Sequence, residues 1–389
     1  MAITNTYKKG DFDVADIFNL HRHKIDYISD DKWKVVNSIT SCRTGKLGAH
    51  VFECDNCKHL EISYNSCRNR HCPKCQYLTR ARWILKRDRE LLPVHYFHIV
   101  FTIPHIFNNL IRCNKKEIYT NLFKAASQTI KKVVANPVNL GALSGFLAIL
   151  HTWDQKLNIH PHIHCVIPGG GFSMDKSTWI KSRKKYFVHV KILSLVFRGI
   201  FLKLLEKEYN TGNIKTFSDR YHFKQMLIKS CSTNWVVYSK APFKGPFWVI
   251  RYLTRYTNRI AISNERLFCM NENTVTFTYK DRKNNYAAKF EKLDAVIFIK
   301  RFLNHVLPKK FVRIRYFGFL GSPKKKDNIA LARKLLCNPD YKKDAEPVPD
   351  NWVDLMILLA GYDPCKCSEC ETGHMVLVHR TFKGNKIRE

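Results

Sequence analysis

Residues 160–171 read HPHIHCVIPGGG, and they set the architecture of the middle of the chain. Histidines alternate with other residues at period two, which is typical of a strand, and the three glycines supply the turn that ends it. Successive side chains of a strand face opposite sides, so His162 and His164 project from one face while Ile163 packs into the core. The stretch therefore predicts a rigid strand that presents two imidazoles to one cation.

Two imidazoles are few for a divalent cation, so a third ligand is expected. His160 has the right strand phase and is the favoured candidate. Asp154 and Gln155 of the preceding segment, and a residue on the helix predicted at 247–256, remain alternatives. Mg²⁺ or Mn²⁺ suits phosphate chemistry, and the imidazoles shift the preference somewhat toward later transition metals.

Strand and helix patterns alternate on both sides of this segment. Strands are predicted at 96–102, 146–153, 235–238, 260–270, 274–279 and 311–316, and helices at 115–135, 191–209 and 292–305. The pattern predicts an α+β fold whose strands are antiparallel.

A second informative stretch, RYLTRYTNR, begins at Arg251 on a predicted helix. Residues four apart share a helix face, so Tyr252 and Tyr256 would point at one target. Phenols ionise only near pH 10, but a metal and the cations Arg251, Arg255 and Arg259 favour the phenolate and can hold a DNA backbone. Attack of a phenolate on phosphorus would conserve bond energy as a phosphotyrosine. No nucleotide cofactor is then needed, and the sequence contains no GxxxxGK[ST] loop.

The charge of the chain indicates a polyanionic partner. Its 389 residues include 66 Lys and Arg against 32 Asp and Glu, a net charge of +34 that is spread along the sequence. Nucleic acid is the expected partner. A membrane partner is not expected, because no run of 18 apolar residues occurs, and the N-terminus has no secretory pattern. We therefore expect the protein in the cytoplasm, associated with DNA.

Clustered cysteines predict structural zinc at the N-terminal end. Cys54-x-x-Cys57 and Cys72-x-x-Cys75 form two pairs whose spacing suits tetrahedral zinc. Four further candidate ligands interleave with these pairs: Cys42, His50, Cys67 and His71. Eight candidates suffice for one or two closed zinc sites.

Basic residues lie between these candidate ligands. Arg68, Arg70 and Lys74 predict a zinc-ordered surface that contacts DNA phosphates. A second group, Cys365, Cys367, Cys370 and His374, lies near the C-terminus. It is either a small metal knuckle or a set of reduced thiols.

These motifs together resemble the IS91 family of transposases, whose members carry a histidine-hydrophobe-histidine (HUH) endonuclease motif. Four collinear stretches carry the resemblance: CRTGKLGAHVFECDNCKHLEISYNSCRNRHCPKCQ at 42–76, HPHIHCVIPGGG at 160–171, RYLTRYTNRIAISNERL at 251–267 and FVRIRYFGFL at 311–320. The resemblance implies rolling-circle-like transposition through single-stranded DNA element ends and targets. It also implies a sheet flanked by helices, His162 and His164 as metal ligands, and the two-tyrosine form with Tyr252 and Tyr256.

The expected organisation has three parts. Residues 1–92 form a small zinc-ribbon-like DNA-binding module, 93–320 an antiparallel-sheet HUH tyrosine endonuclease domain, and 321–389 a basic tail. Two other functions are compatible with subsets of the motifs. A plasmid-type replication initiator or relaxase would use the same chemistry, and a non-catalytic zinc-dependent DNA-binding regulator would use only the cysteines and the charge.

Overall fold

The computed structural model describes residues 7–183, 187–217, 219–240, 248–249, 260–281, 284–321, 323–341 and 347–382. Its helices are α1 (Val14–His21), α2 (Asp30–Thr40), α3 (Tyr77–Asp88), α4 (Asn108–Cys113), α5 (Lys115–Ala135), α6 (Val190–Asn210), α7 (Arg220–Cys231), α8 (Ala295–Asn304), α9 (Lys325–Leu335) and α10 (Trp352–Ala360). Its strands are β1 (Tyr7–Lys8), β2 (Ala49–Cys54), β3 (Leu60–Tyr64), β4 (Tyr96–Thr102), β5 (Gly145–Trp153), β6 (Ile159–Pro168), β7 (Gly170–Phe172), β8 (Trp179–Lys181), β9 (Val237–Lys240), β10 (Leu267–Met270), β11 (Thr274–Asp281), β12 (Ala287–Asp294), β13 (Ile314–Gly318) and β14 (Met375–Arg380).

A five-stranded antiparallel sheet forms the centre of the molecule, in the order β13-β5-β6-β4-β9. The histidine stretch is its middle strand, β6. His162 lies directly opposite His151 of β5 on one side and Thr102 of β4 on the other. Opposed residues of an antiparallel pair share a face, so the imidazoles of β5 and β6 lie on the same side of the sheet.

The other side of this sheet carries the main hydrophobic core. Ile163 and Cys165 of β6 are completely buried there, together with Phe101 of β4. Helices α5 and α6 cover this face with apolar side chains such as Phe123 and Phe197. The period-two alternation of β6 thus separates a core face from a histidine face.

A second core joins the N-terminal helices to a sheet in which three of the four strands come from residues 267–294. Strands β1, β10, β11 and β12 form a four-stranded antiparallel sheet in that order. Side chains of α1, α2, β11 and α8 pack into one cluster that includes Phe18, Val36, Phe277 and Phe302. The predicted N-terminal module is therefore packed against residues 260–306.

A third sheet joins β2 and β3, in the N-terminal part of the described residues, to β14, in their C-terminal part. Strand β14 pairs with β2, and β2 pairs with β3, both antiparallel. Met375 lies opposite Cys54 in this register. The predicted C-terminal tail thus adds a strand to the predicted N-terminal module.

The α+β class and the antiparallel strands are confirmed by these sheets. The strand predicted at 96–102 and the helix predicted at 115–135 have the observed bounds. The helix predicted at 292–305 begins later, at Ala295, because 287–294 form β12 and Asp294 caps the helix by accepting from the amides of Val296 and Ile297. None of the helices in the described ranges is long and apolar enough to cross a membrane.

Candidate functional site

Three histidines converge on the open face of the central sheet. The ring nitrogens that His151, His162 and His164 offer to an ion lie within 4.8 Å of one another. His151 and His164 are buried, whereas His162 is half-buried at the edge of the group. We call these three residues the histidine cluster. Its donors suit a divalent cation that imidazole binds, and the exposure of His162 leaves the site accessible from one side.

Neighbouring groups orient two of the three rings. Nδ1 of His162 donates to the carbonyl oxygen of His160 at 2.7 Å, so Nε2 is the nitrogen that His162 would offer to a metal ion. Nε2 of buried His98, on β4, lies 2.8 Å from Nδ1 of His164. This contact engages Nδ1 of His164, so Nε2 is the nitrogen that His164 would offer to a metal ion. Outer contacts of this kind are typical of metal-binding histidines.

His160, the favoured third ligand, is not a member of the histidine cluster. Its ring stacks on that of His105, with the centroids 5.3 Å apart. Its backbone carbonyl instead supports His162. Asp154, an alternative candidate, lies in the turn after β5, where its carboxylate accepts hydrogen bonds from the amides of Lys156 and Asn158. The structure therefore brings His151, rather than either candidate, to the pair on β6.

A buried histidine lies beneath this end of the sheet. His305 is bonded through Nδ1 to the hydroxyl of Thr152 at 3.1 Å and through Nε2 to the carbonyl oxygen of Leu157 at 3.0 Å. Burial lowers the pKa of His305 to about 4, so its ring is neutral at physiological pH. Neutral His305 fixes the turn that connects β5 to β6.

The predicted tyrosine segment lies outside the described residues. This applies to Tyr252, Tyr256, Arg251, Arg255 and Arg259, whereas Trp248 and Val249 just before them are helical. Val249 is completely buried in a cluster with Ile149 and Val166 on the histidine face of the sheet. On the other side of the segment, Ile260 and Ala261 line a small cavity with Thr152 and Trp153.

Two groups of four cysteines form a second kind of site. The first cysteine cluster is Cys42, Cys67, Cys72 and Cys75, and the second is Cys54, Cys57, Cys367 and Cys370. Within each cluster all sulfurs lie within 4.8 Å of one another. The first cluster fits zinc, because four thiolates at such short distances repel one another unless a cation lies between them. In agreement, the contacts with Cys42, Cys67 and Cys75 raise the pKa of the Cys72 thiol.

The six cysteines of the zinc prediction all lie in these clusters, but they divide differently from the sequence pattern. Cys54 and Cys57 lie with the C-terminal pair, and Cys72 and Cys75 lie with Cys42 and Cys67. His50 and His71 belong to neither of the clusters found among the described residues. His71 is enclosed beside Arg70 and Arg313, and burial together with these cations lowers its pKa to about 3.

Two of the three basic residues predicted to contact DNA bind within the protein. The guanidinium of Arg70 donates to the carbonyl oxygens of Phe311 and Pro308, at 2.6 Å and 3.0 Å. The ammonium of Lys74 lies 2.6 Å from a carboxylate oxygen of Asp13. Only Arg68 of the three is exposed, and its backbone has a positive φ of 52°. Arg70 and Lys74 thus connect the first cysteine cluster to the rest of the fold.

Sequence reasoning missed two features of these sites. The apolar pattern of FLAILHTW predicts a buried strand at 146–153, and the single histidine in it, one strand away from HPHIH, is the signal that could have identified His151. The pairing of Cys54 and Cys57 with Cys367 and Cys370 spans more than 300 residues. The local spacing of the cysteines cannot predict that these two pairs lie together.

Two family models match the chain. A model described as "Transposase zinc-binding domain" matches residues 14–103, which contain the whole first cysteine cluster. A model described as "Putative transposase" matches residues 145–327, which contain the histidine cluster and the tyrosine segment.

Curated relatives match over most of the chain. The "Putative transposase y4qJ" of Sinorhizobium fredii (strain NBRC 101917 / NGR234) is 41% identical over 376 residues, 94% of either chain. The "Transposase for insertion sequence element IS801" of Pseudomonas savastanoi pv. phaseolicola is 27% identical over 307 residues, 76% of this chain and 72% of that protein. No solved structure matches the chain. The extent of these matches and the cysteine-rich zinc-binding region show that this chain belongs to the IS91 family of transposases.

Proposed function

We propose that this transposase nicks and rejoins single-stranded DNA through a 5′-phosphotyrosine link, in rolling-circle-like transposition. The observation that carries the proposal is the histidine cluster, three imidazoles from adjacent strands on one accessible face. The transposase relatives favour this role over a plasmid initiator or a non-catalytic regulator. DNA is the substrate, and the cytoplasm is where such an enzyme would meet it.

The proposed metal ligands are His151, His162 and His164, so His151 replaces His160 in the set. An all-imidazole set favours Mn²⁺ over Mg²⁺, since Mg²⁺ prefers oxygen ligands. When bound, the divalent ion supplies positive charge to an oxygen of the scissile phosphate. Within the protein, His98 and the carbonyl of His160 keep the ligand nitrogens aimed at that position.

The proposed nucleophile is Tyr252, with Tyr256 as the second acceptor. Val249 precedes Tyr252 by three residues, a length of chain that spans at most about 11 Å. The burial of Val249 against the histidine face supports the assignment of Tyr252 to this site. Arg251, Arg255 and Arg259 supply the cations that favour a phenolate and bind phosphates.

The proposed reaction is two reciprocal transfers. The phenolate oxygen of Tyr252 attacks phosphorus, an O–P bond to the 5′ side forms, the P–O3′ bond breaks, and the phenol proton ends on the released 3′ hydroxyl. A 3′ hydroxyl at the target then attacks the phosphotyrosine, restores a phosphodiester and regenerates the phenol. With two tyrosines, one holds the donor strand while the other accepts the next.

The test is a covalent adduct assay on a denaturing gel. Single strands from the DNA that flanks the gene, labelled at the 3′ end, are incubated with Mn²⁺, Mg²⁺ or EDTA. We expect a metal-dependent labelled protein band that Tyr252→Phe abolishes, whereas Tyr256→Phe spares first cleavage and blocks completion. A Tyr252→Phe protein with full adduct formation would overturn the assignment, and tight binding without any adduct would overturn the chemistry.

A further inference from the structure

The second cysteine cluster joins residues 54–57 to residues 367–370. We propose that Cys54, Cys57, Cys367 and Cys370 hold a structural zinc ion, which ties residues 365–382 to the N-terminal sheet and gives the protein two four-thiolate zinc sites. The proposal concerns the scaffold and does not depend on the tyrosine chemistry. The matched zinc-binding domain ends at residue 103, so it contains only half of this ligand set.

The sulfur positions fit a tetrahedral zinc ion. Sγ of Cys54 lies 3.6 Å from Sγ of Cys370, and Sγ of Cys57 lies 3.6 Å from Sγ of Cys367. Four thiolates about 2.3 Å from a central zinc ion are about 3.8 Å apart along each tetrahedral edge. A disulfide requires about 2.05 Å. The four sulfurs are therefore spaced for a shared ion rather than for two disulfides.

Two equivalent backbone turns present the four sulfurs. In the first, the amide of Lys58 donates to the carbonyl oxygen of Cys54 at 3.2 Å, and in the second the amide of Glu371 donates to that of Cys367, also at 3.2 Å. Both donors follow the second cysteine of their pair and both have positive φ, 63° for Lys58 and 55° for Glu371. The same unusual conformation thus occurs on both sides of the proposed ion.

Backbone amides also point at the sulfurs. The amide of Cys57 lies 3.4 Å from Sγ of Cys54, that of Glu369 lies 3.4 Å from Sγ of Cys367, and that of Gly373 lies 3.3 Å from Sγ of Cys370. Hydrogen bonds from amides stabilise the thiolate form, which is the form that binds metal. Each half of the cluster is thereby prepared for thiolate ligands.

The two turns are in close contact with each other. A β-carbon at Gly373 would lie 2.4 Å from Sγ of Cys54, so only glycine permits the approach. Asp55 joins the turns through its amide, which donates to the carbonyl oxygen of His374 at 3.0 Å, and through its carboxylate, which accepts from the amide of His374 at 2.8 Å. This close contact places the four sulfurs in one cluster.

Little apolar burial holds this part of the chain in place. Among the described residues, the local core contains three buried residues, Cys54, Cys367 and Met375, and all five residues of β3 are exposed. Small sheets of this size need a metal or disulfides to be stable. A zinc ion bound by thiolates contributes its binding energy directly to folding. Zinc in the second cluster would therefore add to the backbone pairing with β2 that docks β14.

The test counts thiolate-bound zinc in the full chain. An organomercurial reagent titrates thiols and releases the zinc they hold, which a chromogenic chelator reports. We expect two zinc ions from the wild type, one from Cys367→Ser and two from Cys365→Ser. Cys365 is the matched control, since it lies two residues away and outside the cluster. The double variant Cys54→Ser with Cys367→Ser should also retain one, because both residues serve the same ion.

A single releasable zinc in the wild type would overturn the proposal, as would two in Cys367→Ser or a loss in Cys365→Ser equal to that in Cys367→Ser. A second measurement leaves all ligands intact. A protease site inserted within 342–346 is cleaved, and the C-terminal fragment is followed by gel filtration. It should remain bound with zinc present and separate after strong chelation, and a fragment that stays bound without zinc would contradict the proposal.

Discussion

His151 and His160 distinguish between two ligand sets for the proposed catalytic metal. His151 lies in the histidine cluster, whereas the ring of His160 stacks on His105 outside it. We predict that His151→Ala weakens Mn²⁺ binding by more than the roughly 10–100-fold typical of losing an outer contact, because a direct ligand disappears. His160→Ala should retain binding to within a few-fold, since its ring lies outside the cluster and its hydrogen bond to His162 comes from the backbone carbonyl.

Mn²⁺ affinity measured by calorimetry, alongside the adduct assay, separates the two variants. Equal losses in both would show that His160 contributes a ligand as well, and an unaffected His151→Ala protein would remove His151 from the site. His98→Leu is a useful third variant, because it deletes the contact to Nδ1 of His164 and leaves the three ligands in place.

His305 makes stability depend on pH in a defined window. Its pKa falls from 6.5 to about 4 in the folded protein because the ring is buried. Between pH 6.5 and 4 the unfolded chain binds a proton that the folded protein does not, so the free energy of unfolding decreases as pH falls through this window. The loss amounts to roughly 3 kcal/mol when complete, at about 1.4 kcal/mol per pKa unit.

His305→Gln provides the comparison, because glutamine can bond to Thr152 and Leu157 but does not titrate. Denaturant unfolding at several pH values should show a shallower pH dependence for this variant between 6.5 and 4. Any contribution of the cysteines is common to both proteins and cancels in the difference. Parallel pH profiles would contradict the prediction.

Residue identity was easier to predict than residue partnership. Period-two spacing placed His162 and His164 on one face because that follows from strand geometry alone. The choice of His151 over His160 depends on the register between β5 and β6, in which His151 lies opposite His162. The register is set by the turn at Asp154 and by core packing on the other face of the sheet. Neither can be predicted from the sequence HPHIH alone.

Strand β6 combines two environments, and its two faces should respond differently to mutation. Ile163 is completely buried against α5 and α6, between two histidines that face the other way. We predict that Ile163→Val lowers the free energy of unfolding by about 0.5–1.5 kcal/mol, because one buried methylene is lost. Mn²⁺ affinity should stay unchanged, since the backbone of the strand is preserved.

Chemical denaturation and metal titration of the same samples test this separation. A large fall in Mn²⁺ affinity in Ile163→Val would show that the core face controls the positions of the imidazoles. The matched comparison is His151→Ala, which should have the reverse pattern.

Elements with a strong period were predicted with their bounds, and mixed patterns were not. The apolar run of β4 and the amphipathic α5 were located to the residue. The sequence AAKFEKLD of β12 has no helix breaker before AVIFIK, so its end was assigned to the following helix. Pairing with β11 along eight residues overrides that local preference.

The net charge of the whole chain predicts salt-sensitive binding to DNA. With +34 spread over 389 residues, a contact with 6–10 phosphates is readily supplied. The affinity for a single-stranded oligonucleotide should then fall by roughly 300- to 15,000-fold between 50 mM and 200 mM salt, since the slope per phosphate contact is about −0.7 for single strands. Fluorescence anisotropy at four salt concentrations gives the slope, and duplex DNA of the same sequence is the control for strand preference.

A slope near zero would mean that phosphates contribute little to binding. Arg68→Ala should reduce the slope by about one phosphate contact. Arg70→Ala should instead destabilise the protein, because Arg70 donates to the backbone of Pro308 and Phe311.

Contacts between residues that are far apart in the sequence cross the boundaries of the three predicted parts of the chain. The cysteine spacing indicated zinc, and the matched zinc-binding domain agrees. The partnership of Cys57 with Cys367 joins positions 310 residues apart, and helices α1 and α2 share one core with β11 and α8, which lie beyond residue 260. Contacts of this range depend on the completed fold, so no local window of sequence encodes them.

Strand β14 is translated long after β2, the strand with which it pairs. A ribosome adds about 5–20 residues per second, so Cys54 and Cys57 emerge roughly 15–60 seconds before their partners. Throughout that interval the N-terminal sheet lacks its third strand, and two of its thiols lack half of their cluster. A polypeptide released early never completes this sheet. The N-terminal sheet can therefore reach its three-stranded form only after residues 375–380 have been translated.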